Sequence, residues 1–146
     1  MNYALMEESH VQQIAQLERE CFSDPWSVNS ISSELTNPLS LWIVALDGEK
    51  VAGYVGSQSV MGWADMMNIA IAPEYRRKGI GEQLVRTLIS RLKDQQVTRL
   101  TLEVRVSNTC AIALYEKLGF QQVGCRPNYY HNPREDALIL RKEWEA

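Results

Sequence analysis

The chain has 146 residues, 45% of them hydrophobic and 23% charged, with a formal net charge of −3. These values match soluble globular proteins rather than disordered or fibrous ones, and the length predicts a single domain over residues 1–146. No run approaches the roughly 18 consecutive apolar residues of a bilayer span, and residues 1–8 lack a basic stretch followed by an apolar one, so a cytoplasmic protein with no membrane partner is expected. The slight acidity offers no general attraction for phosphate backbones, which disfavours a nucleic-acid partner and confines any anion binding to a local site. Cys21, Cys110 and Cys125 are odd in number and form no Cys-x-x-Cys pair, and His10 and His131 stand far apart, so neither a disulfide framework nor a metal site is expected. Both histidines read as surface or loop residues. The oligomeric state stays open at this level.

Val11, Ile14, Ala15, Leu17, Cys21 and Phe22 recur at helical spacing and predict an amphipathic first helix, with Ser9 in position to cap it. Ser23-Asp24-Pro25-Trp26-Ser27 breaks that helix, and a short second one through Ile31 and Leu35 ends before Asn37-Pro38. Residues 41–46 and 51–60 read as a hairpin around an Asp47-Gly48 turn, residues 66–72 as a further strand, and residues 3–6 as a short first strand. After Pro73 comes a basic, glycine-bearing segment and a helix whose apolar face is Ile80, Leu84, Val85, Leu88, Ile89 and Leu92. Residues 99–106 alternate, with Leu100, Leu102, Val104 and Val106 on one face and Thr101, Glu103 and Arg105 on the other. A helix over residues 108–118, closed by Gly119, and two last strands over 120–126 and 136–141 complete an α+β order with a central crossover helix.

The chemistry-bearing segment is Arg76-Arg77-Lys78-Gly79-Ile80-Gly81, set between a strand and a helix. Its glycines let backbone N–H groups approach an anion, the helix start adds partial positive charge, and the basic side chains neutralise phosphate. A ligand carrying a pyrophosphate follows. The order is wrong for a Walker loop, because Lys78 precedes Gly79 and Glu82 follows Gly81, and Leu84 stands where a Rossmann fingerprint needs its third glycine.

Arg76-x-x-Gly79-x-Gly81 resembles the acetyl-CoA signature of the GNAT superfamily. Leu102-Glu103-Val104-Arg105, Ser107-Asn108, Ala111-Ile112-Ala113-Leu114-Tyr115, Leu118-Gly119-Phe120 and Asn128-Tyr129-Tyr130 resemble the RimI-type ribosomal protein alanine N-acetyltransferases over essentially the whole chain. The resemblance implies a GNAT fold: a mixed central sheet of about seven strands flanked by about four helices. It also implies acetyl-CoA as cosubstrate, without a metal. Ile69, Ala70 and Ile71 would offer backbone groups to the acetyl and pantetheine parts. Arg76, Arg77, Lys78, Gly79, Ile80 and Gly81 would hold the pyrophosphate. Asn108 would contact the cofactor too, although its position also suits a helix N-cap, and one oxygen can cap while the nitrogen binds a ligand.

Acetyl transfer to an amine needs the amine neutral and the departing thiolate accommodated. By resemblance Glu103 is the general base and Tyr115, which also borders the cofactor, is the general acid. A phenol with pKa of about 10 facing a thiol of about 8.5 is a reluctant acid, so a strengthening hydrogen bond can serve instead of full proton transfer. The resemblance names the N-terminal alanine of a small-subunit ribosomal protein as the acceptor, with direct transfer in a ternary complex. It sets Tyr129 and Tyr130 as a peptide clamp, and Phe22 and Trp26 as the opposite wall. Beside a proline turn, Phe22 and Trp26 also suit loop anchors. Glu34, Asp65 and Glu135 are candidates to meet a basic peptide. Two rival readings remain, a GNAT enzyme acting on lysine or a small-molecule amine and a non-catalytic acetyl-CoA-binding sensor or partner subunit.

Overall fold

The computed structural model describes residues 1–145. Its strands are β1 (Asn2–Leu5), β2 (Ser40–Asp47), β3 (Lys50–Val60), β4 (Trp63–Ile71), β5 (Arg99–Arg105), β6 (Gln121–Tyr130) and β7 (Glu135–Glu143), and its α-helices are α1 (Val11–Cys21), α2 (Val28–Glu34), α3 (Ile80–Asp94) and α4 (Thr109–Lys117). One sheet of seven strands runs in the order β1-β2-β3-β4-β5-β7-β6. Every neighbouring pair is antiparallel except β4 and β5. That parallel pair requires a crossover, which α3 supplies.

The central strands are apolar on both faces because helices cover both. On β2, Ile43 joins a core with α3, while Trp42 and Val44 join a second core with α1 and α2. Leu84, Leu88 and Leu92 of α3 are fully buried, and each such side chain contributes roughly 1.5–3 kcal/mol through the hydrophobic effect. The Asp47-Gly48 turn closes the β2–β3 hairpin with Asp47 opposite Lys50 and Gly48 at a φ of +63°.

Three local expectations change. Ser9 lies inside a short 3-10 turn (Glu8–His10) rather than capping α1, and Glu7 and His10 close the capping box instead. His10 is therefore buried, its Nδ1 accepting the Glu7 N–H at 2.9 Å, and is no surface residue. Val106 falls beyond β5 and is exposed, so the buried row ends at Val104.

The feature that makes a site is a divergence in mid-sheet. β4 and β5 pair over only three positions, Trp63 with Arg99, Ala64 with Leu100 and Asp65 with Thr101. Immediately beyond, Asn68 opposes Gly56 and Met66 opposes Ser57, which leaves Met67 as an extra residue on β4. A bulge of this kind bends its strand. Meanwhile β5 stays paired with β7 through Arg105, so the strands separate and a cleft opens between them.

Candidate active site

The cleft has a volume of ≈ 880 Å³. Met66 to Ile69 of β4 form one side and Leu102 to Arg105 of β5 the other. The loop after α1 contributes Phe22 and Trp26, the β6–β7 hairpin Tyr129 and Tyr130, and the α4 segment Asn108 and Tyr115. The cleft thus brings together both proposed catalytic residues, all four proposed peptide contacts, Ile69 and Asn108.

Glu103 points to the face of β5 opposite the buried leucines and is partly buried. Burial pushes its carboxyl above the usual carboxylate range, Asp65 adds to the rise, and the Arg126 guanidinium opposes it. The Arg126 Nε lies 3.5 Å from Glu103 Oε1. Tyr115 is 4% exposed, its ring edge-to-face with Phe120 and its Oη 3.8 Å from Met66 Sδ. Burial, with Tyr130 nearby, pushes its phenol up to about 12. At neutral pH the Tyr115 hydroxyl is therefore a proton holder facing the same cleft as an elevated carboxyl. Burial thus favours the protonated form of both groups.

Asn108 is the N-cap of α4, its Oδ1 accepting the Ala111 N–H at 3.2 Å. Its amide nitrogen has no protein partner among the described residues and borders the cleft. Beyond Asp65 the β4 edge facing β5 has no strand partner, which leaves backbone groups around Ile69 open to a ligand while the Ile71 carbonyl is taken by Arg76, and the other edge of Ile69, Ala70 and Ile71 is held by β3.

The basic segment lies beyond the cleft lining, where β4 turns into α3. Gly79 takes the left-handed conformation at φ +78° as the N-cap of α3, with no side-chain cap on the helix start, and a Cβ there would meet nothing within 4 Å. Arg77 is also left-handed at φ +64°, an uncommon state outside glycine. Neither Arg77 nor Lys78 forms a salt bridge among the described residues; Lys78 rests 5.6 Å over the Tyr75 ring. Open space over a left-handed glycine, uncapped N–H groups and unpaired cations together fit a pyrophosphate. Arg76 and Ile80 differ from this picture. Arg76 turns back, donating to Ile71 O at 3.2 Å and approaching Cys21 Sγ at 3.6 Å, and the Ile80 side chain is buried in the α3 core, leaving only its backbone for a ligand.

Phe22 and Trp26 both line the cleft and pack on the α1–α2 core, so they are wall and anchor at once. Tyr129 and Tyr130 meet edge-to-face, ring centroids 5.0 Å apart. The supporting shell includes Arg105 and Glu18, to which the sequence assigned no site role, and Glu135 and Glu34, which it offered to a basic peptide. Arg105 donates to Pro133 O at 2.9 Å and His131 O at 3.3 Å, pairs with Glu135 at 3.2 Å and sits over the Tyr130 ring at 4.3 Å. Glu135 in turn accepts the Ser107 N–H at 2.7 Å, so it braces the hairpin rather than standing ready for a peptide. Glu34 is likewise occupied: it is buried and accepts from Trp42 Nε1, Gln58 and Asn37. Glu18 is fully buried behind the cleft and accepts from Trp26 N–H, Asn68 and Tyr54 O–H. Burial pushes its carboxyl upward against those three donors. Its signal in the sequence was a carboxylate four residues after Ile14, on the apolar stripe of α1.

A seven-stranded mixed sheet split between two parallel strands, with a basic left-handed turn opening the crossover helix, defines an acyl-CoA-dependent N-acetyltransferase. The chain belongs to the acetyltransferase (GNAT) family, whose pattern matches residues 11–120, and members of that family use acetyl-CoA as cosubstrate. It is 39% identical over 126 residues to the ribosomal protein bS18-alanine N-acetyltransferase of Escherichia coli (strain K12), covering 85% of this chain and 84% of that protein. It is 42% identical over 131 residues, 89% of this chain and 87% of the other, to a Bacillus subtilis (strain 168) protein provisionally given the same name. The crystal structure of the ribosomal-protein-S18-alanine N-acetyltransferase from Escherichia coli superposes with a TM-score of 0.89 at 34% identity, covering 99% of this chain and 94% of that one. Among the described residues no cluster of His, Cys, Asp and Glu is placed to hold a metal ion, and no helix is long and apolar enough to cross a membrane.

Proposed function

We propose that this chain, acting as one domain in the cytoplasm, acetylates the α-amino group of a protein N-terminus, with the N-terminal alanine of ribosomal protein bS18 as its substrate. The observation that carries the reading is the pairing in one cleft of a carboxyl raised by burial, Glu103, with a buried protonated phenol, Tyr115. The bS18-alanine acetyltransferases to which the chain is similar support the choice of acceptor.

Acetyl-CoA, when bound, supplies the acetyl group on a thioester. Arg77, Lys78 and the N–H groups at the start of α3 hold its pyrophosphate, while Asn108 Nδ2 and the unpaired edge of β4 hold the arm that reaches the cleft. The Glu103 carboxylate accepts the proton of the incoming ammonium, directly or through a water. An α-amino group with pKa of about 7.7–8.0 costs under 1 kcal/mol to deprotonate near pH 7.4, against roughly 4 kcal/mol for a lysine of pKa about 10.4, so a modest carboxylate base suits an N-terminus. The Tyr115 Oη donates a hydrogen bond to the sulfur as negative charge gathers there. With both substrates bound together, the neutral amine would attack the thioester carbonyl directly: the N–C bond forms, the C–S bond breaks, CoA leaves as its thiolate, and the second proton lost by the nitrogen neutralises that thiolate. Phe22, Trp26, Tyr129 and Tyr130 surround the peptide.

Thiol release from acetyl-CoA in the presence of alanine-first peptides with free or blocked N-termini tests this reading. Turnover with the free α-amine and none with the blocked peptide is expected. Equal rates with a blocked peptide carrying an internal lysine would assign the enzyme to side-chain acetylation instead.

A further inference from the structure

Asn68 stands beside the β4 bulge, lines the cleft and is only partly buried. Its Nδ2 donates to Glu18 Oε2 at 2.6 Å. A carboxylate accepts hydrogen bonds and has none to give, whereas a primary amide carries donors on one side and an acceptor on the other. Glu18 therefore selects which end of the amide faces it. The NH2 must turn toward the carboxylate and the carbonyl oxygen away from it. Asn68 Oδ1 has no partner among the described residues and is not among the fully buried unsatisfied atoms, and the residue that carries it lines the cleft.

Glu18 is itself fixed. It is fully buried, its Oε1 accepts the Trp26 N–H at 2.9 Å, and its Oε2 also meets the Tyr54 hydroxyl, which is buried and stacked against Trp42. No cation pairs with it among the described residues, which makes those donors its compensation for lost water. One buried carboxylate thus ties together α1, the loop bearing Trp26, the middle of β3 and the bulged part of β4. Every one of these elements borders or backs the cleft.

We propose that Asn68 is a substrate-binding residue, its Oδ1 accepting an N–H of the incoming N-terminal peptide, and that buried Glu18 is the positioning residue that holds the amide in that orientation. This rests on the reading of the cleft as an N-terminal amine site and adds a recognition element to it. The acceptor selects for a substrate that brings N–H groups beside the reacting nitrogen, and the bulge at Met67 is what presents Asn68 at the open edge of β4.

The test is calorimetric binding of an alanine-first peptide, with CoA present, to the wild type, Asn68→Ala and Glu18→Gln, alongside CoA binding, steady-state KM values and thermal unfolding. Asn68→Ala is expected to weaken peptide binding about 5- to 10-fold, the value of one hydrogen bond, with CoA binding unchanged. Glu18→Gln keeps the volume but brings an NH2 into a site of three donors. The expected result is a similar loss of peptide affinity, because Asn68 turns its own NH2 to the cleft. Unchanged peptide affinity in Asn68→Ala, or equal losses for peptide and CoA, overturns the recognition role. Normal peptide affinity in a folded Glu18→Gln overturns the positioning role. A wild type that binds the peptide without acetylating it counts against the enzymatic reading and leaves this assignment standing, whereas a wild type that does not bind the peptide removes both.

Discussion

Arg126 on β6 reaches across β7 to Glu103 on β5, guanidinium to carboxylate at 3.5 Å. The cation is the main force opposing the rise that burial imposes on the Glu103 carboxyl. Base catalysis needs that carboxyl ionised, so kcat/KM falls as pH drops through its pKa. Removing the cation in Arg126→Met raises the pKa further and moves the acid limb to higher pH. Because Arg126 is 56% exposed, salt screens the pair. Added salt should move the wild-type limb the same way, whereas in the variant, where Asp65 is the remaining charge acting on Glu103, salt should move the limb slightly to lower pH. A pH profile at two ionic strengths checks both. Glu103→Gln should lower kcat about 100-fold or more.

For Tyr115 the elevated phenol narrows the chemistry. Full transfer of a proton from a group near 12 to a thiolate near 8.5 is uphill by roughly 5 kcal/mol. A hydrogen bond that strengthens as charge develops meets the need without that cost. Tyr115→Phe should then slow the acetyl-transfer step by about 10- to 100-fold in single-turnover experiments, with little change in acetyl-CoA affinity. The wild type should show no loss of activity from Tyr115 ionisation up to pH of about 10, since the phenol stays protonated there.

The sequence made the two periodic features legible: the α3 stripe from Ile80 to Leu92 is buried throughout, and the alternation on β5 sets Glu103 opposite Leu102 and Val104. Motif order further located the basic turn and Asn108. What could not be read were properties that arise only when distant segments meet. The cleft depends on an unpaired Met67, and nothing in Met66-Met67-Asn68 marks a bulge. Motif and charge suggest Arg76 for the pyrophosphate, but neither reveals its contacts to Ile71 O and Cys21 Sγ. Glu34 and Glu135 looked like free surface charge until donors from other elements closed on them.

Arg105 and Glu135 join the peptide side of the site to the cofactor side. Arg105 fixes the hairpin through two carbonyls and the Tyr130 ring, and Glu135 fixes Ser107, next to the Asn108 cap. Lysine cannot reproduce a planar fork that makes several bonds and also stacks on a ring. Arg105→Lys should raise the peptide KM several-fold with a smaller effect on acetyl-CoA. Glu135→Gln, which keeps an acceptor for Ser107 but loses the ion pair, should fall between the wild type and Arg105→Lys. Steady-state KM values for each substrate separate the two effects.

At Gly79 the strain and the space make opposite demands, which makes the position diagnostic. A Cβ there meets nothing within 4 Å in the protein, while φ is +78°. Gly79→Ala should therefore cost about 1–2 kcal/mol through the left-handed backbone alone, visible as a lower midpoint in thermal unfolding. The new methyl would sit where the pyrophosphate approaches the start of α3, so acetyl-CoA affinity should fall beyond what the stability loss explains. Lys78→Ala removes a charge without touching the backbone. It should leave the unfolding midpoint nearly unchanged, weaken acetyl-CoA binding, and reduce the salt dependence of that binding, because a cation unpaired in the protein has the ligand's phosphate as its partner. Calorimetric titration of acetyl-CoA at two salt concentrations distinguishes the variants. Full acetyl-CoA affinity in both would mean that the basic turn does not hold the pyrophosphate.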